Sequence, residues 1–293
     1  MVNPRVAAIA PPLGLGLLFA AVTMAGLFVG GELFIDGWAM PGDFWFGARL
    51  ADYVASGAVA YVYEADARYL SLPAWPIVLA PAAALAHRMG LVFYHPEMPV
   101  PRPTAWPLLG TYTAVVTSLT FVPVRKALPA RGMRYLVLFG LLVYVPAAIA
   151  YGHPEDVIAV AFVVLAERAR AQGNVDRAAT YLGVAIGFKT AMLLAVGAFV
   201  VLVPAGRRLR ALAVAAAIPL VLAAIPLAAD WEHASRNLFS SGTHLDFGHR
   251  SLLFGDRGGG IDAGAFRAAG LAIALVVGAT AARRATSAAA TAA

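Results

Sequence analysis

The run Tyr135-Leu-Val-Leu-Phe-Gly-Leu-Leu-Val-Tyr-Val-Pro-Ala-Ala-Ile-Ala-Tyr151 ends in Gly152-His153-Pro154-Glu155-Asp156, and a second apolar run, Val157 to Ala166, leads away. A histidine and two acids at the joint of two apolar segments read in two ways. Pro154 suits the first position of a helix, where its missing N–H is no loss. Glu155 and Asp156 then occupy the first turn, where negative charge meets the positive end of the helix dipole. On that reading the joint simply starts a helix at a membrane surface. On the other it lines a polar cavity at the membrane face.

Composition sets the environment. Of 293 residues, 61% are hydrophobic and 13% charged, about half the charged share of a soluble domain. Several apolar runs reach the ~18–20 residues that a bilayer crossing needs. The expectation is an all-α polytopic transmembrane bundle of about seven to nine membrane segments, a single domain over residues 1–284 with a disordered Ala/Thr/Ser tail, 285–293. The net charge of +6 reflects membrane orientation rather than nucleic-acid binding. There is no cysteine, which excludes thiolate chemistry and disulfides.

Charge placement orients the chain. Val6 to Gly30 is a first, uncleaved span behind Arg5. Residues 32–72 form an outer loop holding Glu32, Asp36, Asp43, Asp52, Glu64 and Asp66 against Arg49 and Arg68. Within it, Asp43 precedes Phe44 to Ser56, whose apolar residues Phe46, Leu50, Tyr53 and Val54 fall near helical spacing, with Gly57 as a stop. The spacing predicts a short amphipathic helix along the membrane surface. Pro73 to Tyr94, broken by prolines and glycines, is expected not to cross fully; Ala105 to Val124 is an ordinary span. The Arg/Lys clusters at 125–134, 168–177, 207–210 and 283–284 are placed inside with both termini, by the positive-inside rule. Ala178 to Ala205 lies between two of these clusters. Either it is a broken hairpin with Phe188-Lys189-Thr190 at its tip, or it is one long span that violates the charge rule. Asp230 to Gly264 is a second outer loop.

Four features carry candidate chemistry. Asp43 is a helix N-cap or a general base at the outer face. His153, Glu155 and Asp156 are a helix start or a cavity wall; their spacing matches no standard metal motif, so no metal is expected. Lys189 sits in an apolar run, so it is either a functional intramembrane charge or a snorkelling one, and it needs an anion: Asp156 or a substrate phosphate. His244, His249 and Arg250 are part of a solvated glycine-rich loop or a phosphate grip. The soluble nucleotide-binding and nucleophile-elbow motifs are missing from the sequence.

Taken together, Gly42-Asp43-Phe44, the Tyr-rich run Ala58 to Tyr63, Leu72-Pro73, Ala80-Pro81, the GHPED joint and Tyr181-Leu-Gly-Val-Ala-Ile-Gly-Phe-Lys-Thr190 resemble the GT-C superfamily of integral-membrane glycosyltransferases. Within it they look closest to actinobacterial polyprenol-phosphate-mannose-dependent mannosyltransferases and their relatives. The similarity covers roughly residues 6–255. The resemblance implies inverting transfer of a hexose or pentose from a polyprenyl-phosphate donor to a cell-envelope glycan or glycolipid, on the outer face of the cytoplasmic membrane. It implies no cofactor beyond the lipid-linked sugar substrate. It implies Asp43 as base, Lys189 near the lipid phosphate, His244 or His249 near the donor, and His153, Glu155 and Asp156 on the opposite wall. Family members usually continue for several more spans. A shortened chain that keeps the fold without activity, as a partner in envelope assembly, is the alternative; a transporter or flippase is a further one.

Overall fold

The computed structural model describes residues 42–64, 71–93, 104–120 and 152–240, with single positions at 14, 18, 21, 124, 272, 276 and 280. Apart from those single positions, the expected first span, residues 125–151 and the expected return after Gly264 lie outside the described residues. Among the described residues every regular element is helical and none is a strand. The main helices are α1 (Gly42–Ala55), α2 (Ala74–Arg88), α3 (Trp106–Leu119), α4 (Pro154–Ala171), α5 (Val175–Phe188), α6 (Leu194–Leu202), α7 (Arg208–Ala229) and α8 (Trp231–Ser235).

Helix α1 covers the stretch whose spacing predicted a surface helix, and Gly57, at φ 88°, follows its end. It does more than rest on a surface. Phe44, Trp45, Ala48, Leu50 and Ala51 are buried, while Arg49 faces out. Phe44 stands edge-on to Trp106 at 4.7 Å and to Trp75 at 6.4 Å. These aromatics, with Leu79, Leu109 and Ile158, form one core shared by α1 to α4. Full burial of each such side chain contributes about 1.5–3 kcal/mol. At about 1.5 Å per residue, α2 is roughly 22 Å long, shorter than the ~30 Å hydrocarbon thickness. It carries Pro81 inside, ends at Arg88 and is followed by Gly90, φ 66°.

The C-terminal half is a stack of short and long helices. Gly173 (φ 78°) ends α4: its N–H donates to Arg170 O at 2.8 Å, and Asn174 N–H donates to Ala169 O at 3.0 Å. This pairing is a Schellman motif, which needs a left-handed residue. Asn174 then caps α5 by accepting from Arg177 N–H at 3.2 Å. Gly183 lets α5 meet α7 closely, since a Cβ there would collide with the Ala215 carbonyl.

Helix α5 stops at Lys189, whose backbone is extended (φ −143°, ψ 112°). The chain resumes as a 3-10 turn, Thr190–Leu193, and then α6. Phe199 and Val203 of this return limb share a core with Val175, Ala178 and Leu182 of the outgoing one. Arg210 Nη2 reaches Asp176 Oδ2 at 2.7 Å. Residues 176 and 210 therefore lie at one end of the molecule, which is the hairpin geometry and not that of a single long helix.

With its leading turn, α7 runs from Ala205 to Ala229 and, among the described residues, is the one helix long and apolar enough to cross a membrane. Only 17% of its apolar window is buried, and Leu209, Leu220, Val221 and Ile225 are exposed. An apolar flank of that kind is what lipid would cover.

Candidate functional site

The GHPED joint begins with a close contact at its glycine. Gly152 has φ 74° and lies against the backbone of Phe44; an added Cβ would meet Phe44 N, with Phe44 Cβ 2.8 Å away. Residue 152 must therefore be both small and left-handed. This contact packs the joint against the first turn of α1. Asp43 falls in that turn, inside the helix rather than at its cap. Its backbone is joined directly to the Phe44 N that touches Gly152. The Asp43 side chain lies outside the described residues, as do His244, His249 and Arg250.

Beyond Gly152, Pro154 opens α4 with Glu155 and Asp156 in its first turn. The helix-start reading of the joint is thus correct as local structure. The side chains nevertheless converge. Glu155 is buried, with 7% of its side chain exposed, and its Oε1 lies 2.9 Å from His153 Nδ1 and 3.4 Å from Lys189 Nζ. Lys189 Nζ also pairs with Asp156 Oδ1 at 2.8 Å. Adjacent acids on a helix point about 100° apart, but a lysine approaching from the break after α5 lies between them and reaches both. The break is what makes this possible: it takes Lys189 off the α5 helix and turns its side chain across the start of α4.

The electrostatics follow from the count. Two carboxylates, Glu155 and Asp156, face one ammonium, Lys189, with the His153 ring beside Glu155. Lys189 already has its anion. A phosphate on Lys189 would have to displace Asp156, the more exposed of the two acids at 42%. Spare carboxylate oxygens accept hydrogen bonds, so the cluster is suited to hydroxyl donors more than to anions.

The cluster is recessed. Gly187, two residues from Lys189, lies against Leu222 and Ile218 of α7. By helical rise, that level is roughly 10 Å short of the end of α7 at Ala229. Among the described residues, Arg168, Arg170, Arg177, Arg207, Arg208 and Arg210 lie at the opposite end, with Glu167 and Asp176 for balance. The two ends of the bundle thus differ in sign.

A further polar pair was not singled out in the sequence. Asp230 follows α7, and both its carboxylate oxygens lie close to His233 Nδ1, at 3.0 and 2.9 Å. Asp230 also caps α8 by accepting from His233 N–H at 3.3 Å. The Asp-x-x-His spacing at a helix start was the available signal. Beside it, Asn237 Nδ2 donates to the carbonyls of His233 and Tyr63, and Tyr63 donates its phenol O–H to Ser71 O at 2.8 Å. Burial drives the Tyr63 phenol well above its ordinary range.

Among the described residues no group of three or more His, Cys, Asp or Glu is arranged to hold a metal. Comparison with protein-family models, curated proteins and solved structures found no match.

Proposed function

We propose that the chain is a multi-pass membrane glycosyltransferase that moves a sugar from a polyprenyl-phosphate donor to a hydroxyl acceptor on the outer face of the cytoplasmic membrane. The observation that carries the reading is the seating of Gly152 on Phe44. It brings the backbone of Asp43, the candidate base, beside the joint that bears Glu155, Asp156 and, through them, Lys189. The resemblance of the joint and of the Gly183 to Lys189 segment to GT-C enzymes supports the same assignment. The spare carboxylate oxygens of Glu155 and Asp156 also suit sugar hydroxyls as hydrogen-bond donors.

In the reaction, Asp43 takes the proton of the acceptor hydroxyl as its oxygen bonds to the anomeric carbon. The anomeric C–O bond to phosphate breaks on the opposite face, and the polyprenyl phosphate leaves with that electron pair. Configuration inverts, and no redox partner is needed. A positioned base of this kind is worth about 10²–10⁴-fold in rate. With a polyprenyl-phosphate-mannose donor, Asp43→Asn is expected to lower turnover by that factor while the bundle stays folded. A folded D43N protein with wild-type turnover eliminates Asp43 as the base.

The break at Lys189 favours one other reading, a transporter or flippase, because a broken helix with an ion pair is a common substrate gate in such proteins. Uptake or lipid scrambling by reconstituted vesicles, lost in Lys189→Met and with no glycosyl transfer, would select it.

A further inference from the structure

Away from the Lys189 cluster, the second half of α1 and the end of α2 enclose a recess of about 260 Å³. Asp52, Ala55 and Ser56 line one side; Ala84, His87 and Arg88 line the other. The methyl groups of the alanines form an apolar lining between polar groups. Ser56 Oγ donates to Tyr53 O at 2.8 Å, which leaves its lone pairs as acceptors. His87 Nδ1 stands 3.7 Å from Asp52 Oδ1, beyond hydrogen-bond distance. Arg88 has no ion-pair partner among the described residues. One recess therefore presents a fixed cation and a carboxylate that do not neutralise each other.

Size and surroundings narrow the ligand. The volume is below the ~300–1,000 Å³ of pockets for drug-sized molecules, so it accepts a headgroup-sized ligand. Leu85, one turn before Arg88, and Met89, which follows Arg88 at the helix end, lie four residues apart on one face of α2 and are 47% and 61% exposed. Exposed hydrocarbon thus lies beside the polar recess, the pairing that a lipid offers: a dipolar head joined to apolar chains.

We propose that this recess binds the headgroup of an aminophospholipid. Arg88, with His87 beside it, holds the phosphodiester. The Asp52 carboxylate accepts from the primary ammonium. The acyl chains lie along Leu85 and Met89. An anionic lipid without an amine would set its charge against Asp52 with no ammonium to answer it. A quaternary ammonium has no N–H to give. A soluble phosphodiester bearing a primary amine shares the polar chemistry but not the apolar chains.

Native mass spectrometry of the full chain in detergent tests this, with phosphatidylethanolamine, phosphatidylglycerol and phosphatidylcholine offered in equal amounts. Wild type is expected to retain phosphatidylethanolamine about tenfold better than the other two, the equivalent of one charge-assisted hydrogen bond. Asp52→Asn removes that preference without weakening phosphatidylglycerol. Arg88→Gln weakens all three. Both side chains are on the surface, and unchanged melting temperatures show that the variants fold. Equal retention of the three lipids by wild type, or an undiminished preference in D52N, overturns the proposal. Displacement of the lipid by equimolar glycerophosphoethanolamine overturns its lipid source. None of these readouts depends on glycosyl transfer.

Discussion

Two ion pairs in this molecule each join residues 34 positions apart, and they do opposite jobs. Arg210–Asp176 closes the hairpin at the basic end, with side chains 73% and 50% exposed. Lys189–Glu155 lies at the recessed end, 25% and 7% exposed. Water screens the first pair, so its net contribution is about 0–1 kcal/mol. The second has lost most of its water, so its members depend on each other. Similar chemistry marks a fold boundary at one end and builds a polar site at the other.

The largest effect expected from breaking this contrast is at Lys189. Lys189→Ala leaves buried Glu155 without its ammonium and dependent on the His153 ring, at a cost of about 3 kcal/mol. Lys189→Met with Glu155→Gln should recover most of that loss, because no buried charge is then orphaned. Denaturant midpoints in detergent measure both; a K189A midpoint equal to wild type would show that the pair is solvated after all.

Next comes Gly152→Ala, which forces a Cβ into a left-handed residue against the Phe44 backbone. A cost of about 2 kcal/mol is expected from the backbone conformation and the clash together. The loss should appear as protease access to the first turn of α1, since Gly152 packs on Phe44 there while Ala48, Leu50 and Ala51 anchor the rest of the helix. If G152A keeps α1 protected, Asp43 is held beside the joint by something else.

Tyr63 gives a smaller effect with a pH signature. Its pKa is raised in the folded chain, so its neutral form is the one the fold accommodates. Stability is then full below the ordinary phenol pKa, about 10, and falls as pH rises above it, because the unfolded chain ionises first. Tyr63→Phe should cost about 1 kcal/mol at neutral pH for the lost bond to Ser71 and should flatten the alkaline decline. An alkaline decline in Y63F as steep as in wild type would assign it to another group.

The smallest effect is at Arg210→Gln, expected to lower stability by less than about 1 kcal/mol and to become undetectable in molar salt. A larger, salt-resistant loss would mean that the hairpin depends on this exposed pair and not on the core around Phe199 and Val203.

Much of the helical frame could be read from local signals. The start of α4 followed from Pro154 and its two acids, the end of α1 from Gly57, and the turn-back near Lys189 from arginines on both flanks. The sequence did not reveal that α1 is buried: its apolar spacing was compatible with lipid or protein as the covering phase. It offered Lys189 either Asp156 or a substrate phosphate; the structure shows the Asp156 pair and adds Glu155. The Asp230–His233 pair was overlooked because an acid after an apolar helix ordinarily reads as a loop residue.

The sequence alone determined a helical, apolar chain with its arginines grouped in short clusters, since those properties depend on composition and on contacts within a few residues. The tertiary structure decided how the GHPED joint is used. A left-handed glycine lets the joint seat on Phe44, and a helix break swings Lys189 between Glu155 and Asp156. Both need partners more than thirty residues away, and no local propensity encodes where those partners come to rest.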